Sequence, residues 1–216
     1  SLITMLVYMC FIWSIVFYTL GKHRGVPREV NARIVFFAIL FLITGDSALM
    51  ITRIVSHYMY LASRITRETG FVVQGWGLAA SSITMNCYYY CLYRYGERHN
   101  AVKSPPQYSA ISVSRMNWLS LFLVFARIAM VCFPQNNWFV DPAGLDRTFR
   151  YFTNIPLYGQ GLLAFILLWK SIRTAPSNGT SPAATTSIVN GMDYNKTIKK
   201  ILVWMFISFI CYTITI

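Results

Sequence analysis

Thirteen of the nineteen Lys and Arg residues fall in three segments that alternate with two nearly neutral ones, and long apolar runs separate all five segments. An α-helix rises about 1.5 Å per residue, so roughly 20 apolar residues cross the hydrocarbon core of a bilayer. The runs at 2–20, 34–61, 71–93, 116–133, 151–169 and 198–216 meet or approach that length. The expected fold is therefore all-α, a single polytopic transmembrane helix bundle over 1–216 with six spans visible. The last run is still apolar at Ile216, which leads us to expect a seventh span beyond it.

The basic segments give the direction. Lys and Arg accumulate in cytoplasmic loops because their translocation is unfavourable. The segment with Lys22, Arg24, Arg28 and Arg33, the one with Arg94, Arg98, Lys103 and Arg115, and the one with Lys170, Arg173, Lys196, Lys199 and Lys200 read as inner loops. Arg64 and Arg67 are offset by Glu68, and Arg147 and Arg150 by Asp141 and Asp146, so these loops read as outer. The N-terminus is then outside, and the expected location is the cell membrane. Trp118, Trp169 and Trp204 fall near inner ends and Trp76 and Trp138 near outer ones, where indole rings favour the headgroup level; Trp13 lies deeper.

Composition bears on the partners. With 56% hydrophobic and 12% charged residues, a soluble domain of 216 residues would lack polar material to cover itself. The net charge of +12 follows from the loop asymmetry and does not call for nucleic acid. The bilayer is the expected partner, with a small-molecule ligand and a cytoplasmic signalling partner or further membrane subunits as the others. Residues 174–197 turn to Ser, Thr, Pro, Asn, Gly and Ala, a composition that cannot bury a core and predicts a mobile inner loop. Its Asn178-Gly-Thr180 and Asn195-Lys-Thr197 acceptor motifs would go unused on the cytoplasmic side.

Few residue patterns point to catalysis. Cys10, Cys87, Cys91, Cys132 and Cys211 lie in or at the ends of apolar runs, and no His accompanies the i, i+4 pair Cys87 and Cys91. They read as small buried hydrophobes rather than metal ligands. HExxH, Gly-rich phosphate loops and GxSxG elbows are absent from the sequence, and no cofactor is expected. Enzyme chemistry would need more convergent titratable groups than the spans supply.

Asp46 and Arg127 are the acid and base deep within the spans. At the helical rise they lie about 18 Å and about 16 Å from the inner ends of spans two and four. Matching depth suits a neutralising pair, which either holds helices together or forms a ligand or proton site. Gln74 and Trp76 in span three, with Asn154, Tyr158 and Gln160 in span five, lie in the outer half. They are candidates for a pocket open to the outside, or for interhelical hydrogen bonds. Gly75, Gly77, Ala79, Ala80, Ser81 and Ser82 permit close approach and place span three near the bundle centre. Pro156 can open span five and free backbone carbonyls for a ligand or a neighbour.

An outside N-terminus, Asp46 in span two, a small-residue span three ending in Glu97-Arg98-His99, Pro156 in span five and a long basic-flanked loop before span six resemble a G-protein-coupled receptor. The resemblance implies that Glu97 and Arg98 take part in signalling, with Arg98 pairing near span six in the inactive state. The chain departs from that family in lacking an Asn-bearing motif in span one and a span-three Cys partnered in the outer loop. It also lacks a Pro after the span-six aromatic, where Phe209-Ile-Cys211-Tyr212 stands. The region 127–156, with Phe133-Pro-Gln-Asn-Asn-Trp138 and Asn154-Ile-Pro156, is similar to uncharacterised bacterial multi-span proteins, which implies no known activity.

The expected function is a membrane sensor that binds a small molecule within the bundle and signals to its cytoplasmic loops. An ion-coupled transporter or channel built on Asp46 and Arg127 is the alternative, and a structural subunit of a membrane assembly the third.

Overall fold

The computed structural model describes residues 2–22, 30–103, 110–133, 147–173 and 203, and these are helical apart from short turns. In chain order the helices are α1 (Leu2–Lys22), α2 (Val30–Leu61), α3 (Arg67–Lys103), α4 (Ala110–Cys132) and α5 (Arg147–Arg173). Four of the first five apolar runs lie inside one helix each, the run at 116–133 ends one residue past α4, and most helix ends continue past the apolar run into its polar flanks. The run at 198–216, the loop 174–197 and Lys199 lie outside the described residues, apart from Val203.

Among the described residues, three helices are long and apolar enough to cross a membrane: α2, α4 over Arg115–Cys132 and α5 over Phe152–Lys170. In α1 the apolar helical stretch Met9–Tyr18 is shorter. α3 has the length, but Gln74, Asn86, its Ser and Thr residues and its charged C-terminal end dilute its apolar character. Six spans are thus more than these helices display by length and composition.

Beside its apolar core, the bundle exposes large apolar side chains and buries several polar ones. Phe122, Phe125, Leu162, Ile166, Ile51 and Val55 are exposed, whereas Arg127, Asn86, Gln160, Ser120, Ser82 and Thr153 are buried. Water would penalise both halves of that arrangement. Hydrocarbon rewards it, because apolar side chains meet an apolar solvent while polar groups find one another inside.

α3 is the hub, packing against α2, α4 and α5, and α1 leans on α2. Its small residues account for this position. A Cβ on Gly45 of α2 would fall onto the Thr84 hydroxyl of α3, and one on Gly77 of α3 would fall onto the Thr52 hydroxyl of α2. The two contacts are seven residues apart on each helix, in opposite directions, so the antiparallel pair repeats its knob-and-hole every two turns. Both threonines donate back to their own helices, Thr52 to the Ala48 carbonyl at 2.9 Å and Thr84 to the Ala80 carbonyl at 3.0 Å. Their hydroxyls can therefore lie against a neighbouring helix without another partner.

The core around the C-terminal half of α3 is aromatic, with Tyr88, Tyr89 and Tyr93 buried among Ala38, Leu92, Leu157, Ala164 and Leu168. Of the three consecutive tyrosines 88–90, whose place near a span end suggests an interfacial belt, Tyr88 and Tyr89 are core residues, because α2 and α5 pack against this part of α3, while Tyr90 is half-buried. Trp13, deeper than the other indoles, donates its Nε1–H to Ser47 Oγ at 2.9 Å. That bond satisfies a polar group at a depth where water is scarce and joins α1 to α2.

Candidate functional site

The α2–α3 turn builds a cavity. α2 ends in a Schellman arrangement, with Ser63 N–H bonded to the Tyr60 carbonyl at 3.0 Å and Arg64 N–H to the Met59 carbonyl at 2.9 Å. Ser63 takes φ 54°, the left-handed conformation that such a stop requires. Three residues on, Thr66 Oγ1 accepts the Thr69 N–H at 3.3 Å and caps α3. A turn this short brings residues at similar distances on either side face to face.

Ser56 of α2 accordingly meets Gly70 of α3 and donates to its carbonyl at 3.1 Å, while Gln74 Nε2 donates to Ser56 Oγ at 3.0 Å. A Cβ at position 70 would come within 2.9 Å of that hydroxyl, so glycine keeps the gap open. Beside this trio is a cavity of about 350 Å³ whose walls also include His57, Tyr60, Arg67 and Phe71. The Arg67 guanidinium lies over the Phe71 ring, 5.5 Å from its centroid.

Gln74 alone of the sequence-derived pocket residues lines this cavity. Trp76 is exposed two positions along, on another face of α3. Asp46 is half-buried on α2, ten residues from Ser56 towards the other end of the helix. Asn154 and Tyr158 are half-buried on α5, and Gln160 is fully buried. Ser56, His57, Tyr60, Arg67, Gly70 and Phe71 escape a reading by span, since their relevance depends on the turn. The signal available was the hairpin itself: counting outward from Ser63 sets Ser56 opposite Gly70.

A second polar region runs between α3, α4 and α5. Arg127, 3% exposed, donates through Nη2 to Ser82 Oγ and through Nη1 to the Thr153 carbonyl. Pro156 supplies no N–H, and its ring crowds the preceding turn, which suits that part of α5 to receive an outside donor. The carbonyl that loses its helical donor to the proline is that of Phe152, and the Thr153 carbonyl next to it accepts from Arg127 of α4. Further along α4, Asn86 Nδ2 donates to the Val124 carbonyl at 3.3 Å and Gln160 Nε2 to Ser120 Oγ at 2.7 Å. Asn86 Oδ1 and Gln160 Oε1 are buried without a hydrogen-bond partner. On α4 the seam occupies positions 117, 120, 124 and 127, the three- and four-residue spacing of one helix face.

The seam ends at a charged cluster. Arg94 Nη1 donates to Glu97 Oε2 at 2.9 Å and to Asn117 Oδ1 at 3.0 Å, and Asn117 Nδ2 donates to Glu97 Oε1 at 2.6 Å. Glu97 thus bonds to the preceding turn and to α4. Arg98, its neighbour in the receptor-like triplet, is exposed, and the span-six region implied as its partner lies outside the described residues. Among the described residues, no group of three His, Cys, Asp or Glu side chains is placed to hold a metal.

No protein-family model, curated protein or solved structure matches this chain.

Proposed function

We propose that this protein is a receptor-like membrane sensor: a small molecule occupies the α2–α3 cavity, and α3 passes the resulting shift to the Arg94–Glu97–Asn117 cluster beside the basic inner loops. The reading includes an outside N-terminus, six spans with a seventh to follow, and a site in the cell membrane. One observation carries it. A single continuous helix of 37 residues, α3, holds the cavity wall at its first turns and the charged cluster near its last. A rigid element touching α2, α4 and α5 is suited to convert a displacement at one end into a rearrangement at the other.

The test uses a cysteine-free protein in nanodiscs carrying a bimane probe on Arg98→Cys. It is screened against small organic acids, amines and alcohols. At least one class shifts the bimane emission, and the cavity-filling Gly70→Leu variant abolishes the shift. Emission insensitive to every compound, or a shift that survives Gly70→Leu, overturns the sensor reading. The topology is checked separately, since Arg64→Cys reacts with an impermeant maleimide from outside intact cells and Arg98→Cys does not.

The alternative of an ion-coupled transporter or channel draws on the buried seam, because Arg127 and the amides of Asn86 and Gln160 set polar groups along one interior line. It predicts ion or proton flux into liposomes that Arg127→Met abolishes. A sensor shows no such flux.

A further inference from the structure

Resting on the reading of the α2–α3 cavity as a ligand site, we propose that its ligand is a small organic anion, a carboxylate on a flat apolar body. Two polar groups of the cavity are already engaged with each other and with backbone. Ser56 Oγ donates to the Gly70 carbonyl and accepts from Gln74 Nε2, so neither that hydroxyl proton nor that amide proton is free for a ligand. Arg67, His57 and Tyr60 line the same space with exposed side chains, and each offers an N–H or O–H. No Asp or Glu lines it. Beside the neutral Gln74 amide, the wall thus carries three donor side chains and no anionic acceptor.

Electrostatics has the same sign. Arg53 and Arg64 are exposed on the elements flanking the cavity and add to Arg67, while Glu68, the exposed acid next to Arg67, is not part of the lining. The α3 N-terminus adds a partial positive charge at its first turn. A guanidinium offers paired parallel donors that match a carboxylate, which an ammonium or alcohol ligand could not use. An ammonium ligand would also meet the cations directly.

The rest of the wall selects the body. Phe71 forms an aromatic floor beneath Arg67, Tyr60 a second ring, and Gly70 leaves bare backbone between the helices. The space, about 350 Å³ and partly open to its surroundings, has room for one ring with a short acidic substituent.

Benzoate, benzyl alcohol and benzylamine present one ring with an anionic, neutral or cationic group. Their binding is measured by saturation-transfer NMR on the full chain in phosphatidylcholine nanodiscs. Benzoate binds at least tenfold tighter than the other two, and Arg67→Gln removes the preference while the thermal midpoint stays within a degree or two. Arg67→Lys retains part of it. Equal or tighter binding of benzyl alcohol or benzylamine overturns the anion assignment and leaves the cavity a ligand site. Absence of binding by all three, with no change of the Arg98→Cys bimane signal for any compound, overturns the cavity as a site altogether. Phosphatidylglycerol in the nanodisc distinguishes the anion's source: competition with benzoate identifies a lipid headgroup, persistence of benzoate binding identifies a soluble acid, and both support an anion site.

Discussion

The guanidinium of Arg127 on α4 donates to the hydroxyl of Ser82 on α3, joining residues 45 positions apart, and its other terminal nitrogen reaches the Thr153 carbonyl on α5. One buried cation thus ties three helices. Hydrogen bonds to charged groups contribute about 1.5–3 kcal/mol each, and removing one partner strands the other in a medium without water. Arg127→Ala is expected to destabilise the bundle by about 3 kcal/mol and Ser82→Ala by about 1–2 kcal/mol. Arg127→Lys falls between wild type and Ala because an ammonium cannot fork in the same way. Reversible unfolding in mixed micelles titrated with SDS measures all three.

The α2–α3 contact makes a prediction that separates two glycines. Gly77→Ala pushes a methyl group against the Ala48 carbonyl at 2.9 Å and the Thr52 Cβ at 3.0 Å. Backbone cannot yield as a side chain does, so the variant loses about 1–3 kcal/mol and Thr52→Ala does not restore it. Gly45→Ala is obstructed chiefly by Thr84, with its next contacts at 3.3 and 3.4 Å, and Thr84→Ala rescues it in part. Gly21→Ala meets nothing within 4 Å and serves as the control. Thermal midpoints of the single and double variants decide the matter.

Ser63 sits in the left-handed region at φ 54°, where a Cβ crowds the following carbonyl. Ser63→Gly relieves that crowding and is expected to stabilise the hairpin by up to about 1 kcal/mol, since glycine is the usual residue at this point of a Schellman stop. Slower amide exchange at Arg64 and Ser63 is the readout. Faster exchange there would mean that the turn does not limit opening of the hairpin.

At the opposite end, the Glu97 side chain is 12% exposed and that of Arg94 36%, so solvent screens the pair. A double-mutant cycle with Arg94→Ala and Glu97→Ala is expected to give a coupling of about 0.5–1 kcal/mol. Arg98→Ala, at an exposed position, changes stability by less than about 0.5 kcal/mol. A second cycle, Glu97→Ala with Asn117→Ala, reads the bond between α3 and α4, and coupling near zero there would remove the cluster as a structural link between the two helices.

The apolar runs, their lengths and the distribution of Lys and Arg were legible without coordinates, because a bilayer filters a chain by the hydropathy of whole segments. For the same reason the central place of α3 followed from Gly75, Gly77 and their small neighbours, which let other backbones approach. The division of Gln74 from Gln160 did not follow. Both are amides within apolar runs, yet Gln74 faces the α2–α3 cavity and Gln160 faces Ser120 in the seam. Hydropathy cannot tell the two faces of a helix apart when lipid and packed interior are both apolar. Which polar groups met one another was decided by packing: the Ser63 turn set Ser56 against Gly70, and the rotation of α4 turned 117, 120, 124 and 127 inward together. Segment polarity is a local property of the chain, whereas hydrogen-bond partners 18 to 45 residues apart exist only after the helices have packed.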